Sequence, residues 1–406
     1  MGLTEPRVRT LAVLGELGRE IEGQWLDAGY SEARFPEIAA AALSRFPLEA
    51  FDPDETIRWA LSTHELPHQH DPDANFGNPP LTVFSGRAFI IDLLFWVDST
   101  TSVHQHSFSG AFRVATGSSL HRELSFEVTE RLSSHLALGV LTQRSVERLT
   151  AGNTRPIRAG EGFIHSLFHL DRPSITIVVR TREDRDRLPQ FEYHPPGLAV
   201  DPFHQPAWLK RQMQVLNLLI TIEHKEFDAL FRSTLEKADP FSAYRLLSSI
   251  RRRIGVPLFE DFIGVVTRKD PRLGTAFGAA FEQDRASEFL TDKRRQVWDA
   301  DLRYFLALLL NLRSREEILR MAASYRPNVD PVDSILGWVE GLGAMKASVE
   351  FKGAAWQPNL FGIPPFGDED RANFRSWLTA GSLPMVLTPA MVAMRKLRAF
   401  APLFAV

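Results

Sequence analysis

The period of the apolar positions changes twice along this chain. Up to about residue 65 it is helical: Leu11, Val13, Leu14, Leu17 and Ile21 recur at three- and four-residue steps. Thr4 is placed to cap that first helix, with Pro6 in its first turn. An alanine-rich segment, 31–46, predicts a second helix, and 54–63 a third. Proline and aspartate dominate 67–80, which reads as a loop. From Leu81 to about Thr181 the texture becomes that of short strands separated by turns: 89–97, 102–106, 110–117, 121–128, 135–142, 145–150 and 174–181. Gly110, Gly117, Gly152, Gly160 and Gly162 punctuate them. Several short strands at close spacing predict a small β-barrel or sandwich.

The segment 183–206 is charged and then proline-rich, a linker or a strap packed on the barrel. From Ala207 helical periodicity returns, with Asp, Ser or Pro near the helix starts. The glycine- and proline-rich stretch 352–367 reads as irregular. The expected fold class is therefore α+β. It comprises an N-terminal helical segment (1–66), a β-barrel (67–182), the linker or strap (183–206) and a large C-terminal helical domain (207–406).

Composition narrows the chemistry. The length of 406 residues fits two or three domains, and 44% hydrophobic content excludes wholesale disorder. A net charge of −3 supplies no basic field for nucleic acid or an anionic membrane, so neither is expected as a partner. The basic run Arg251–Arg253 reads as a solvated helix end. There is no cysteine. That removes disulfides, zinc–thiolate sites, iron–sulfur clusters and cysteine nucleophiles, and it fits a reducing compartment. The charged N-terminus lacks a signal-peptide pattern, MGLTEP lacks the myristoylation pattern, and no apolar run approaches the ~20 residues of a membrane span. The expectation is a soluble cytoplasmic protein.

Histidine is distributed very unevenly. Eleven of twelve histidines lie between His64 and His204, in or beside the β region. Two His-x-His pairs occur, His68/His70 and His104/His106. The first sits in the Pro/Asp loop, where side-chain direction is not fixed, and a solvated loop is its simpler reading. The second falls in a strand-like segment, where residues i and i+2 share a face and two imidazoles can converge on one metal. A third ligand must come from elsewhere. GEGFIHSLFHLDRPSITIVV places His165 at the end of a short strand and His169 four residues on. Barrel closure would bring this segment beside His104 and His106.

HQHSFSGAFRVATG followed by GEGFIHSLFHLDRPSITIVV resembles the two metal-binding motifs of the cupin superfamily, over about residues 81–182. In that family the first motif often adds a glutamate four or five residues after His-x-His, and the second often adds an asparagine four residues after its histidine. Here those positions hold Gly110 and Ala111, and His169. The resemblance therefore implies a three-histidine site of His104, His106 and His165, similar to cysteine dioxygenase and related thiol dioxygenases. The strand after the last ligand offers Thr176, Val178 and Arg180 where cysteine-type members carry Ser-His-Tyr. The metal site carries over in the resemblance; a cysteine substrate does not.

Three neutral imidazoles with open positions opposite suit mononuclear, non-haem Fe(II). A set without a carboxylate leaves the metal more positive and favours anionic substrate groups. The implied activity is an O2-dependent oxidoreductase, a dioxygenase of a small metal-chelating acid or thiol. His169 is a candidate catalytic residue, as an acid/base group or a hydrogen-bond donor behind the ligands, against a solvent-facing histidine after the strand. Arg180 is the other, as a clamp for an anionic substrate. His121 reads as a satisfied structural histidine, and Arg87 and Arg113 as surface or salt-bridged residues. Two other classes stay open: a non-catalytic metal or small-ligand binding cupin with a helical interaction domain, and redox-neutral chemistry such as isomerisation on Mn, Ni or Zn. Homodimerisation is left open.

Overall fold

The computed structural model describes residues 9–70, 76–182, 189–346, 359–381 and 387–405. The expected Thr4 cap and Pro6 lie outside them. Three helices come first: α1 (Arg9–Asp27), α2 (Phe35–Arg45) and α3 (Pro53–Ser62). Asp52 caps α3, accepting from the backbone N–H groups of Asp54 and Glu55, with Pro53 at the first helical position.

The strands follow: β1 (Pro80–Ser85), β2 (Phe89–Trp96), β3 (His104–His106), β4 (Gly110–Thr116), β5 (Ser118–Ser133), β6 (Leu136–Thr150), β7 (Thr154–Ile157), β8 (Gly160–His169), β9 (Ser174–Thr181), β10 (Glu192–His194) and β11 (Leu198–Val200). They form a five-stranded sheet in the order β1-β2-β9-β4-β7 and a closed set in the order β10-β11-β6-β5-β8-β3, with antiparallel pairing throughout. Alternation along each strand then sorts the side chains. On the five-stranded sheet Ile91, Leu93, Phe95, Ala111, Ile175, Ile177 and Val179 pack against Leu14, Leu17, Ile21, Phe35 and Leu43 of the helices. The opposite side chains, Leu94, Trp96, Phe112, Val114 and Val178, meet Phe163 and Leu167 of β8 in the interior. Arg113 belongs to the outer set: its guanidinium donates to the carbonyl oxygens of Leu43 and Phe46 at the end of α2.

Two expected strands, 135–142 and 145–150, merge into β6, because their hairpin partner β5 is long enough to pair with both. The segment expected as a linker or strap, 183–206, contributes β10 and β11 where it is described. Strands of three residues are too short for alternation to announce them.

The remaining helices are α4 (Ala207–Thr221), α5 (Phe227–Lys237), α6 (Pro240–Ile250), α7 (Val256–Lys269), α8 (Pro271–Arg294), α9 (Ala300–Asn311), α10 (Arg315–Tyr325), α11 (Pro331–Ala344), α12 (Asp368–Ala380), α13 (Pro389–Lys396) and α14 (Ala401–Phe404). The chain divides into two compact units, 1–283 and 284–406, with the boundary inside α8. Helices expected in one domain at 207–406 thus fall on both sides. Leu209, Phe231, Phe241, Leu247, Phe262 and Phe277 share one apolar cluster with Leu136, Leu198 and Val200 of the strands, which ties α4–α7 to the barrel. Helical periodicity reports which face is buried but not against what. In the second unit Asp299, Ser314, Asp330 and Thr388 cap α9, α10, α11 and α13, and Phe305 of α9 packs on Trp338 of α11. Among the described residues no helix is long and apolar enough to cross a membrane.

Candidate metal centre

The β3–β8 register sets His104 directly opposite His165, and His106 follows on the same face of β3. His104, His106 and His165 are all buried, and one ligand atom from each lies within 4.8 Å of the others. Among the described residues this is the single cluster of three or more metal-ligating side chains. His165 is not at the end of a short strand, as expected; β8 runs on for four residues, to His169.

Donor direction distinguishes this cluster from crowded imidazoles. The Nδ1 of His104 lies 2.9 Å from the Ser102 carbonyl oxygen, which can only accept, so Nδ1 carries the proton and Nε2 the lone pair. That buried Nε2 has no hydrogen-bond partner. The Nε2 atoms of His106 and His165 stand 3.0 Å apart. Two nitrogens bound to one ion at about 2.1 Å and at right angles would be separated by about 3.0 Å. The residues present therefore fit a metal ion held by three Nε2 atoms.

Neither position that the family pattern reserves for glutamate can add a fourth ligand. Gly110 faces the β9 backbone so closely that a Cβ would run into the Val179 carbonyl oxygen. Ala111 is fully buried in the apolar layer beneath the N-terminal helices, on the far side of the sheet from the histidines.

Burial disfavours the imidazolium form and lowers all three pKa values. His106 and His165 fall well below the ordinary histidine value, because a proton there would also be repelled by a second protonated imidazole and, at His106, by Arg180; His104 is lowered less. All three are thus neutral donors at physiological pH. An aromatic shell surrounds them: the Phe108 ring is 4.6 Å from His106, and Phe163 is 4.4 Å and Phe112 5.9 Å from His165. Phe76 lies 5.5 Å from His104.

Arg180, on the inward face of β9, donates from Nε to Asp92 Oδ2 at 2.9 Å, while Thr82 donates to Asp92 Oδ1 at 2.7 Å. The Arg180 guanidinium lies 5.1 Å from the Phe108 ring, which itself packs on His106. His169 is fully buried inside β8, which ends the solvent-facing alternative. Its Nδ1 is 2.9 Å from the Ser119 hydroxyl and 2.8 Å from that of Ser174, and its ring stacks on Trp96 at 4.3 Å. His68 and His70 run beside β1, where the Gln69 side chain bonds the Thr82 backbone in both directions. Arg87 lies over the Tyr30 ring.

Sequence reasoning missed two contacts. His121, read as structural, places Nε2 3.2 Å from His165 Nδ1. Its own Nδ1 is 3.0 Å from Glu147 Oε1. The only available signal was a histidine and an acid at inward-facing positions of paired strands, and that pairing is not readable from one sequence.

No protein-family model matches this chain, and no curated protein does. Solved structures do. A cupin-2 domain protein from Shewanella frigidimarina is 12% identical, over 31% of this chain and 91% of that one, with a TM-score of 0.19. A hydroquinone 1,2-dioxygenase from a Sphingomonas species is 9% identical, over 27% and 68%, with a TM-score of 0.22. A recombinant oxalate oxidase is 16% identical, over 39% and 74%, with a TM-score of 0.22. Each of these similarities covers between 27% and 39% of this chain. The activities named for those proteins are theirs.

Proposed function

We propose that this protein is a non-haem Fe(II), O2-dependent dioxygenase of a small metal-chelating organic acid or thiol, akin to the cysteine dioxygenase-like cupins. The observation that carries the reading is the convergence of three neutral Nε2 donors, with neither Gly110 nor Ala111 able to place a carboxylate among them. When bound there, Fe(II) supplies open coordination positions at which a chelating anion and O2 meet.

The protein's own residues supply the rest. His104, His106 and His165 hold the ion, and the Ser102 carbonyl orients the first of them. Phe108, Phe112 and Phe163 pack around the ligating rings and keep water from them. Arg180 provides positive charge beside His106, with Asp92 and Thr82 fixing its direction, and so favours an anionic substrate group. His169 is a positioning residue: held by two serine hydroxyls, it fixes the Trp96 wall, whose indole N–H donates to Thr176 at 3.0 Å. Ser174, Thr176, Val178 and Arg180 line this side of β9, so cysteine is not the proposed substrate.

The test is the metal content of protein purified without oxygen and without added metal, followed by O2 uptake against small acids and thiols. Near-stoichiometric iron and substrate-dependent uptake are expected. Failure to bind metal after reconstitution with Fe(II) would overturn the reading, and so would turnover that needs no O2.

A further inference from the structure

Three neighbouring strands line up a carboxylate and two imidazoles. Glu147 on β6 is the register partner of His121 on β5. His121 in turn sits diagonally across from His165, because Glu123 and Leu167 are the direct partners of His165 and His121. Diagonal neighbours on one face are within reach for ring side chains. The result is a continuous line: Glu147 Oε1 to His121 Nδ1 at 3.0 Å, then His121 Nε2 to His165 Nδ1 at 3.2 Å. Arg155 also donates to Glu147, from Nε at 2.9 Å and from a terminal nitrogen. His121 and Arg155 together lower the Glu147 pKa to about 2, His121 most, so the carboxylate is ionised at any physiological pH.

With a single proton on His121, donor counting gives the direction of the line. An ionised carboxylate only accepts, so His121 Nδ1 donates to it. In a neutral His121, Nε2 then accepts, and His165 Nδ1 must donate. That leaves the lone pair of His165 on Nε2, the atom that faces His106.

We propose that Glu147 and His121 are positioning residues of the metal centre. They lock His165 in its Nδ1–H tautomer and lend the three-imidazole site a carboxylate at one remove, in place of the ligand that Gly110 and Ala111 cannot provide. The proposal rests on the metal-centre reading above. Groups that bond the second nitrogen of a ligating histidine fix its ring and raise its basicity.

The test uses full-length protein and Co(II) as the probe. In the metal-free protein, nitrogen NMR of the imidazoles should show His165 and His121 both protonated at Nδ1. Replacing His121→Phe should weaken Co(II) about 10- to 100-fold. Glu147→Gln keeps an acceptor and removes the charge, and about a tenfold loss is expected. Arg155→Met removes the neighbouring ion pair and spares the line, so affinity should stay within about twofold and the Co(II) absorption bands should not move. Equal losses in Glu147→Gln and Arg155→Met would make Glu147 merely structural and overturn the proposal. A proton on His165 Nε2 in the metal-free protein would overturn it as well. Wild-type protein that takes up neither Co(II) nor Fe(II) defeats the metal-centre reading instead, and the tautomer pattern still decides the line of hydrogen bonds.

Discussion

The first compact unit contains two close groups of imidazoles, and they differ in the angle between the rings. In the centre formed by His104, His106 and His165 the rings meet at 81°, 52° and 52°. Elsewhere, His135 and His204 lie face to face, 3.5 Å apart and 3° from parallel, with His135 Nδ1 bonded to Asp201 at 2.9 Å. Imidazole lone pairs lie in the ring plane. Inclined rings can aim them at one point, whereas stacked rings aim them side by side and cannot share an ion. The second group also spends a nitrogen on a carboxylate and is partly open to solvent. Proximity of histidines is therefore a poor guide to a metal site, and convergence of tautomerically fixed nitrogens is a better one.

The sharpest way to break the contrast is to delete one ring from each group. His165→Ala should abolish stoichiometric metal, while His204→Ala should leave metal content unchanged, both read by elemental mass spectrometry on folded protein. Retention of metal by His165→Ala would remove the basis for treating the two groups differently.

The next largest effect tests the missing carboxylate. Ala111→Glu restores the glutamate of the family pattern in sequence but not in space, because position 111 faces the apolar layer under α1 and α2. An unpaired carboxylate there should cost about 3–5 kcal/mol of stability in urea unfolding, without tightening metal binding. A stable variant with raised metal affinity would mean that this face of β4 turns toward the histidines.

How much of this was legible in the sequence depended on the distance over which each feature is encoded. The His104/His106 pair needed only the period-two rule. Barrel closure placed His165 beside it, and the resemblance singled it out as the third ligand. Helix α3 was expected at 54–63, one residue beyond its observed start and end. Glu147 was not legible. Its role depends on the register of β6 against β5 and of β5 against β8, and a one-residue slip in either would point it elsewhere. The same holds for Asp92, which looks like a stray charge in an apolar strand until β9 brings Arg180 to it. Gly110 was legible as a departure from a pattern, but its cause is the closeness of the β9 backbone.

The smallest expected effect compares the two groups by acid titration of the metal-free protein. Burial lowers the pKa of His104, His106 and His165. It also lowers that of His204, with the neighbouring His135 charge adding to it. A histidine whose folded value lies below its unfolded value of about 6.5 contributes stability above pH 6.5. That contribution is lost as the pH falls through and below 6.5, because the unfolded chain takes up protons that the folded chain refuses. The urea midpoint of the metal-free protein should therefore drop between pH 7.5 and 5.5. His106→Gln removes a deeply buried member of the set and should flatten that drop visibly. His204→Gln removes a partly exposed ring whose charge solvent can screen, and should flatten it by much less. If His204→Gln had the larger effect, like-charge stacking rather than burial would be what holds these imidazoles neutral. The metal centre would then owe its readiness for a cation to its ring geometry alone.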